Sequence, residues 1–297
     1  MVLIHVVGSY NLDLTVKVDR FPEDGETTFS NEVRTGHGGK GSNQAVSASR
    51  LSSKVKLYAA VGNDDVGRDA ISFWESEGVD HGNVKVKKGR TGSAIIIVDK
   101  KGKNRIIVNR GSNLLLDPED VDLSSSGKDD VLLTQMEVKE SVVKKSLREF
   151  NGIRILNPAP SIISDMSLLE HVDILTPNEI EFKELTSTDD IQDGINLILK
   201  KVRMALIITL GERGVIIATR HKRVIIDSVK VNPIDTTGAG DVFNAALAFA
   251  IEKGTTLEEA VGFANAVAGL SVTIEGALGP KLEEVKLFLD KLNIKMP

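Results

Sequence analysis

The chain has 297 residues, of which 41% are hydrophobic and 27% charged, enough to bury the core of one large α/β domain or two small ones. Its net charge of −5, with acids and bases interspersed, gives no electrostatic case for nucleic acid or an anionic membrane as a partner. It contains no cysteine, which removes disulfides, thiolate zinc sites and a cysteine nucleophile and suits a reducing compartment.

The opening stretch from Met1 to Gly8 lacks a basic leader region, and no apolar run reaches the roughly 18 residues of a spanning helix. A cytoplasmic location is expected. Leu3 to Val7 is a short β-branched run ending in Gly8-Ser9, which reads as a buried strand. Asn11 and Asp13 then fall just past its carboxyl end, where open α/β sheets bind ligands. From Leu14 the pattern alternates apolar and polar. With a turn at Pro22-Glu23-Asp24-Gly25 and an extended piece from Thr27 to Thr35, it predicts a two-stranded excursion.

Gly36-His37-Gly38-Gly39-Lys40-Gly41-Ser42-Asn43-Gln44 follows, running into a helix expected from Ala45 to about Ser52. By letter it contains G-x-G-x-x-G. It does not follow the first strand, Lys40 would crowd a pyrophosphate turn, and the acids about 20 residues on lie in a plain turn. A Walker A loop is excluded because Gly41 follows Lys40 where Ser or Thr is needed. What remains is a close-approach loop offering backbone N–H groups, an ammonium and an amide, suited to a polyhydroxy ligand or a phosphate. The alternative is a helix cap with turn glycines.

Val55 to Val61 reads as a second apolar strand and Arg68 to Gly78 as a helix, while Lys85, Lys87, Lys88 and Arg90 read as a solvated basic face. Ser93 to Asp99 and Asn104 to Asn109 are strands joined by a Lys-Lys-Gly-Lys turn. With residues 14–35 this hairpin, about 91–109, is expected to build a small second sheet serving as a lid. The rest alternates strand and helix: 131–133, 140–150, 153–156, 172–175, helices to Lys201, 206–210, 215–219, 224–226, and helices at 257–270 and 281–292. That order argues a three-layer α/β/α fold with a mostly parallel central sheet, one domain over 1–297 with a lid.

The stretch Asp235-Thr236-Thr237-Gly238-Ala239-Gly240-Asp241 opens an apolar helical run from Val242 to Ala250. The first N–H groups of a helix lack partners, and its dipole adds roughly half a positive charge there. Residues as small as Gly238, Ala239 and Gly240 let an anion reach that backbone. A carboxylate placed there, Asp241, makes sense if it accepts a proton from a hydroxyl that attacks a phosphoryl group held by the turn. The alternative is an ordinary buried helix opened by an Asp and two glycines. Successive strands also end in Asn11/Asp13, Glu137, Asn178/Glu181 and Thr209/Gly211, collecting acids, amides and glycines on one edge. Glu137 is either a satisfied structural acid or a ligand contact. Asn178 and Glu181 either orient the water shell of a Mg²⁺ or cap their helix. The five histidines are scattered and receive no chemistry.

Gly38-Gly39-Lys40-Gly41-Ser42-Asn43-Gln44-Ala45, Thr176-Pro177-Asn178-Glu179 and Asp235 through Asp241 resemble the signatures of the PfkB-type sugar kinases, the ribokinase family, over essentially the whole chain. The resemblance implies ATP-dependent phosphorylation of a primary sugar hydroxyl, with ribose first and a nucleoside, fructose or 2-keto-3-deoxygluconate as alternatives. It implies Asp241 as base and Gly238, Ala239 and Gly240 as anion hole. Asn11, Asp13, Gly39, Lys40, Gly41, Asn43 and Glu137 would hold the sugar. Asn178, Thr209, Gly211, Gly214, Gly240 and Asn265 would contact ATP, and Glu181 would act on Mg²⁺ through water. Asp235, Thr237, Ser271 and Gly276 match a monovalent cation site, which implies potassium, and the lid implies a homodimer. The chain departs from the family pattern at Ala277-Leu278-Gly279-Pro280 and at Ser42, where the family usually carries Ala; the latter change could alter sugar preference.

Two other function classes compete. A non-catalytic sugar or nucleotide sensor would be expected to lose Asp241 or its glycines. A nicotinamide-dependent dehydrogenase rests only on the rejected glycine fingerprint.

Overall fold

The structure is a computed structural model that describes residues 2–297. β1 (Ile4–Val7) leads through a hairpin of β2 (Asn11–Val18) and β3 (Glu32–Gly38) into α1 (Lys40–Arg50). β4 (Val55–Tyr58), β5 (Ala60–Gly62), α2 (Asp65–Ser76) and β6 (Lys85–Lys87) follow, then a second hairpin, β7 (Ser93–Asp99) and β8 (Asn104–Asn109). Strands and helices then alternate: β9 (Val131–Gln135), α3 (Glu140–Glu149), β10 (Ile153–Asn157), β11 (Ile174–Leu175), α4 (Glu179–Thr186), α5 (Ile191–Leu199) and β12 (Ala205–Thr209). The antiparallel pair β13 (Val215–Ala218) and β14 (Arg223–Ile226) precedes α6 (Ala239–Glu252), α7 (Leu257–Ser271) and α8 (Leu282–Leu292).

The main sheet has eight strands in the order β14-β13-β12-β11-β10-β9-β1-β4, parallel from β12 through β4. Period-two alternation sends neighbouring residues to opposite faces. Ile4, Val6, Val131, Leu133, Ile155 and Ile207 join the layer under α1, α6 and α7. Val7, Leu132, Leu156, Leu206 and Ile208 join the layer with α3 and α5. Full burial of each such side chain is worth about 1.5–3 kcal/mol, which explains why these strands read as continuous apolar runs. From β1 the chain first adds β4 on one side and later β9 on the other. That reversal opens a crevice past the carboxyl ends of β1 and β9, where Ser9 and Glu137 lie.

The two excursions join in one four-stranded sheet, β3-β2-β7-β8, with β2 and β7 parallel and β7–β8 an antiparallel hairpin. Its bounds differ from 14–35 and 91–109. Asn11 and Asp13 belong to β2, and Gly36-His37-Gly38 is the end of β3, paired with them. The helix after the glycines starts at Lys40, five residues earlier than propensity suggests. Gly41, Ser42 and Asn43 are weak helix formers, but with Gln44 they are buried against the sheet, and tertiary contact overrides propensity.

Two further expectations are corrected. Val55 to Val61 is not one strand: it breaks at Ala59, β4 staying in the main sheet and β5 pairing with β6. Lys85 and Lys87 are therefore strand residues, and Lys87 forms an ion pair with Asp120 at 2.5 Å rather than a solvated face. Among the described residues no helix is long and apolar enough to cross a membrane.

Candidate active site

Two helix N-termini point into the crevice. At α1 the cap is Gly39, which adopts φ +87° and sits so close to Tyr10 that a Cβ there would lie 2.6 Å from the Tyr10 Cα. The N–H of Lys40 donates to Glu137 Oε2 at 2.9 Å, and the Ser42 N–H to the Ser9 carbonyl at 2.9 Å. The Ser9 hydroxyl also donates to Glu137 Oε2. A carboxylate already occupies this helix end, leaving its other oxygen toward the crevice.

At α6 the cap is Gly238, with φ +71° and no side-chain cap; a Cβ there would meet the Ala277 carbonyl oxygen at 2.3 Å. The Ala239 N–H reaches Thr236 O at 3.3 Å, and the Val242 N–H bonds Gly238 O at 2.9 Å. Among the described residues nothing accepts from the N–H groups of Gly240 and Asp241. This end is open, and it fits an oxyanion.

Asp241 stands between the two. It is 5% exposed, its Oδ2 accepts from Asn43 Nδ2 at 3.0 Å and its Oδ1 from Gln44 Nε2 at 3.0 Å. Asn43 keeps a buried Oδ1 with no partner, an acceptor waiting for a donor. Asp13 lies against Gly38, where a Cβ would meet its carboxylate at 2.1 Å. Burial, then the Glu137 and Asp241 charges, push the Asp13 carboxyl up to about 7. The Asp241 charge holds the Lys40 ammonium above its ordinary range against burial, with help from Glu137. Asn11 is buried, its Oδ1 accepting from Asn113 Nδ2 at 3.0 Å. Gly41 packs close enough to Ser9 that a Cβ would lie 2.5 Å from its N–H nitrogen. Asn11, Asp13, Gly39, Lys40, Gly41, Asn43, Glu137 and Asp241 thus fall in one polar cluster tied together by close contacts.

The expected nucleotide residues lie along the same sheet edge. Asn178 and Thr209 are bridged, and the Thr209 N–H bonds Pro177 O at 3.0 Å. Gly211 and Gly214 frame the turn after β12, closed by the Leu210 N–H on Gly214 O at 2.8 Å. Asn265 on α7 donates from Nδ2 to Asp227 O at 2.8 Å, a tie that anchors the loop after β14. Asn178 and Glu181 form a reciprocal capping box on α4, each bond 2.9 Å, so the capping alternative holds. It leaves Asn178 Nδ2 and one Glu181 oxygen free. Burial raises the Glu181 carboxyl above its usual range, partly offset by the Asn178 N–H and the Lys40 charge. No group of three metal-ligating side chains exists among the described residues. A single desolvated acid suits Mg²⁺, which keeps most of its waters and leans on phosphate oxygens.

Asp235 accepts from the Thr237 N–H at 2.9 Å and the Gly276 N–H at 3.0 Å. Burial opposes its charge, but these bonds hold its carboxyl below the usual range. The Asp235 N–H reaches Val272 O at 3.1 Å, next to Ser271, whose hydroxyl donates to Ala268 O. Asp235, Thr237, Ser271 and Gly276 therefore converge on one loop junction behind the α6 turn. Ser42, expected in the substrate loop, turns away: its hydroxyl accepts from the Trp74 indole N–H at 2.9 Å, fully buried. His5 sits between Tyr58 and Asp130, and His37 stacks on Phe73 at 3.9 Å.

Several supporting residues receive no role from the sequence: Ser9 and Gln44, which lie within the quoted motifs, and Asn113, Gln135, Asn157 and Asn244. Their one signal is a polar side chain inside an otherwise apolar or small-residue run, as in Val-Leu-Leu-Thr-Gln of β9.

Comparison with known proteins places this geometry. Residues 1–284 match the pfkB family of carbohydrate kinases. A ribokinase of Haemophilus influenzae is 36% identical over 298 residues, covering 96% of this chain and 97% of its own length. A deoxyribokinase of Salmonella typhi is 34% identical over 301 residues, covering 96% and 98%. The solved structure of a ribokinase from Thermotoga maritima superimposes with a TM-score of 0.92 at 37% identity, covering 98% of this chain and all of that one.

Proposed function

The chain belongs to the pfkB family and is an ATP-dependent carbohydrate kinase, and from that premise we propose that its acceptor is D-ribose, phosphorylated on the primary 5-hydroxyl. One observation carries the reading: the buried Asp241 carboxylate stands between the polar cluster reached through Asn43 and the uncapped N–H groups of the α6 turn.

Asn11, Asp13, Lys40, Asn43 and Glu137 hold the sugar hydroxyls, with Gly39 and Gly41 giving the ring access to the backbone. Asp241 orients the 5-hydroxyl and accepts its proton as the new O–P bond forms. Gly238, Ala239 and Gly240 cradle the transferring phosphoryl while the bond to the departing ADP breaks, a reaction governed by positioning and charge. Asn178, Thr209, Gly211, Gly214 and Asn265 shape the nucleotide side. Mg²⁺, when bound, supplies positive charge to the β- and γ-phosphates, and Glu181 holds it through water. Asp235, Thr237, Ser271 and Gly276 would hold a potassium ion, which would supply positive charge beside the turn. Val33, Ile95, Ile106 and Ile107 are exposed apolar side chains on the lid sheet, which supports pairing of two copies through it.

Deoxyribose is the second reading, because a deoxyribokinase is as similar in sequence as the ribokinases. The test is coupled ADP release with Mg²⁺-ATP against ribose, deoxyribose, fructose, adenosine, cytidine and 2-keto-3-deoxygluconate, each with and without potassium. Ribose should give the highest kcat/KM, with activation by potassium. Another sugar winning overturns the acceptor, and an unchanged potassium column overturns the cation site. Asp241→Asn should lose roughly 10²–10⁴ in kcat; near-normal turnover with an intact fold removes its role as base.

A further inference from the structure

Beside Asp241, at the carboxyl ends of β9 and β10, lies a chain of buried side-chain amides to which the chemistry above gives no part. Gln44 on α1 and Gln135 at the end of β9 are both 0% exposed, and Asn157 at the end of β10 is 7% exposed. Gln44 Nε2 donates to Asp241 Oδ1 at 3.0 Å and lies 3.4 Å from Asn157 Oδ1. Asn157 Nδ2 donates to the Thr176 carbonyl at 3.1 Å. Gln135 Nε2 donates to Gln44 Oε1 at 2.6 Å.

The direction of these bonds is forced. A backbone carbonyl and an ionised carboxylate accept but never donate. Thr176 O therefore fixes Asn157 with its oxygen toward Gln44, and Asp241 demands a donor from the same residue. Both require the Gln44 NH₂ to face them, so its Oε1 faces Gln135, which must answer with NH₂. The Gln135 Oε1 is then left buried without a partner, and it is one of two such side-chain atoms among the described residues. A flipped Gln135 would set two oxygens against each other. The orphaned acceptor is the cost of keeping the chain pointed one way.

Resting on the assignment of Asp241 as base, we infer that Gln44 is a positioning residue for that carboxylate and that Gln135 acts through it by fixing its amide direction. Asn43 holds one Asp241 oxygen from the pocket side and Gln44 the other from the core. The carboxylate cannot rotate away from the incoming hydroxyl without breaking one of them. Asn244, which accepts from the Thr176 hydroxyl at 2.6 Å and donates to Gly240 O at 2.8 Å, ties the same strand ends to the first turn of α6.

The test is a set of isosteric changes in the full chain, assayed with D-ribose, Mg²⁺ and ATP and controlled by thermal melting. Gln44→Met should lower kcat on the order of 10- to 100-fold, with KM for either substrate nearly unchanged, because a misaimed base fails in the transition state. Gln135→Met should lower kcat less, and the double variant should be no slower than Gln44→Met alone, since Gln135 works through Gln44. In an Asp241→Asn background, Gln44→Met should cost nothing further. Losses that multiply in the double variant, or a Gln44→Met that melts earlier but turns over normally, overturn the inference. If Gln44→Met does not fold, Gln135→Met decides alone: reduced kcat at unchanged KM supports the relay and unchanged kcat rejects it. Near-normal turnover of Asp241→Asn itself would show that the base assignment had failed first, and this inference with it.

Discussion

The N-termini of α1 and α6 face the same crevice and begin alike, each with a glycine at positive φ and no side-chain cap. They end differently. The protein fills the first with its own carboxylate, Glu137, and with Ser9. It leaves the N–H groups of Gly240 and Asp241 at the second without an acceptor. A helix end carries about half a positive charge and several orphan donors whichever way it is used. Satisfied internally, the first holds a fixed carboxylate; left open, the second keeps donors available to an incoming anion, which is the division of labour the proposed kinase reading needs.

The comparison can be broken most severely at the open end. Gly238→Ala puts a methyl group into the Ala277 carbonyl at a backbone angle alanine resists. It should lose about 10²–10³ in kcat, as removal of an oxyanion donor does, while sugar binding by calorimetry stays near normal. Equal losses in both would mean the two ends are not independent. The closed end should respond in the opposite way. Glu137→Gln keeps the shape but removes the charge from the α1 terminus; it should raise the sugar KM and cost about 0.3–2 kcal/mol of stability, with kcat changing less. A variant that lost kcat and kept KM would place Glu137 in the chemistry rather than the pocket.

Charge crowding at the closed end gives a smaller, pH-dependent effect. The Asp13 carboxyl, pushed up to about 7, holds its proton in the folded apo protein over a range where the unfolded chain has lost it. Its contribution to stability is full below the unfolded value near 4, and is lost as pH rises to about 7. Melting of the ligand-free protein should therefore show a downward slope across that window that Asp13→Asn flattens, while the same variant weakens sugar binding above pH 7. An unchanged slope would remove Asp13 as its source. Least of all, Ser42→Ala should cost about 1 kcal/mol through the Trp74 indole it leaves unpaired, and the order of sugars in the substrate panel should not move. A changed order would mean that α1 transmits the loss to the pocket.

Local chemistry by itself determined much of this protein. The apolar run 131–133 and the start of 206–210 mark central strands because full burial on both faces leaves no alternation to misread; 153–156 carries the half-buried Arg154 and is legible only by its flanking Ile and Leu. The small residues 238–240 before an apolar helix mark a helix start whose backbone N–H groups stay accessible, because little side-chain bulk covers them. The polar residues after β1, β9 and β12 fall on one sheet edge because parallel strands end together. Tertiary structure alone decided the rest. Gly41 to Asn43 are helical because packing outweighs their weak propensity, and Val55 to Val61 splits because the chain changes sheets at Ala59, which hydropathy does not register. Ser42 serves Trp74, not the sugar, because its position on the α1 helix turns it toward α2. The amides of Gln44, Gln135 and Asn157 acquire a direction only when a carbonyl and a carboxylate close in on them from distant parts of the chain. A hydrogen-bond direction is a property of a completed network, and no single residue carries it.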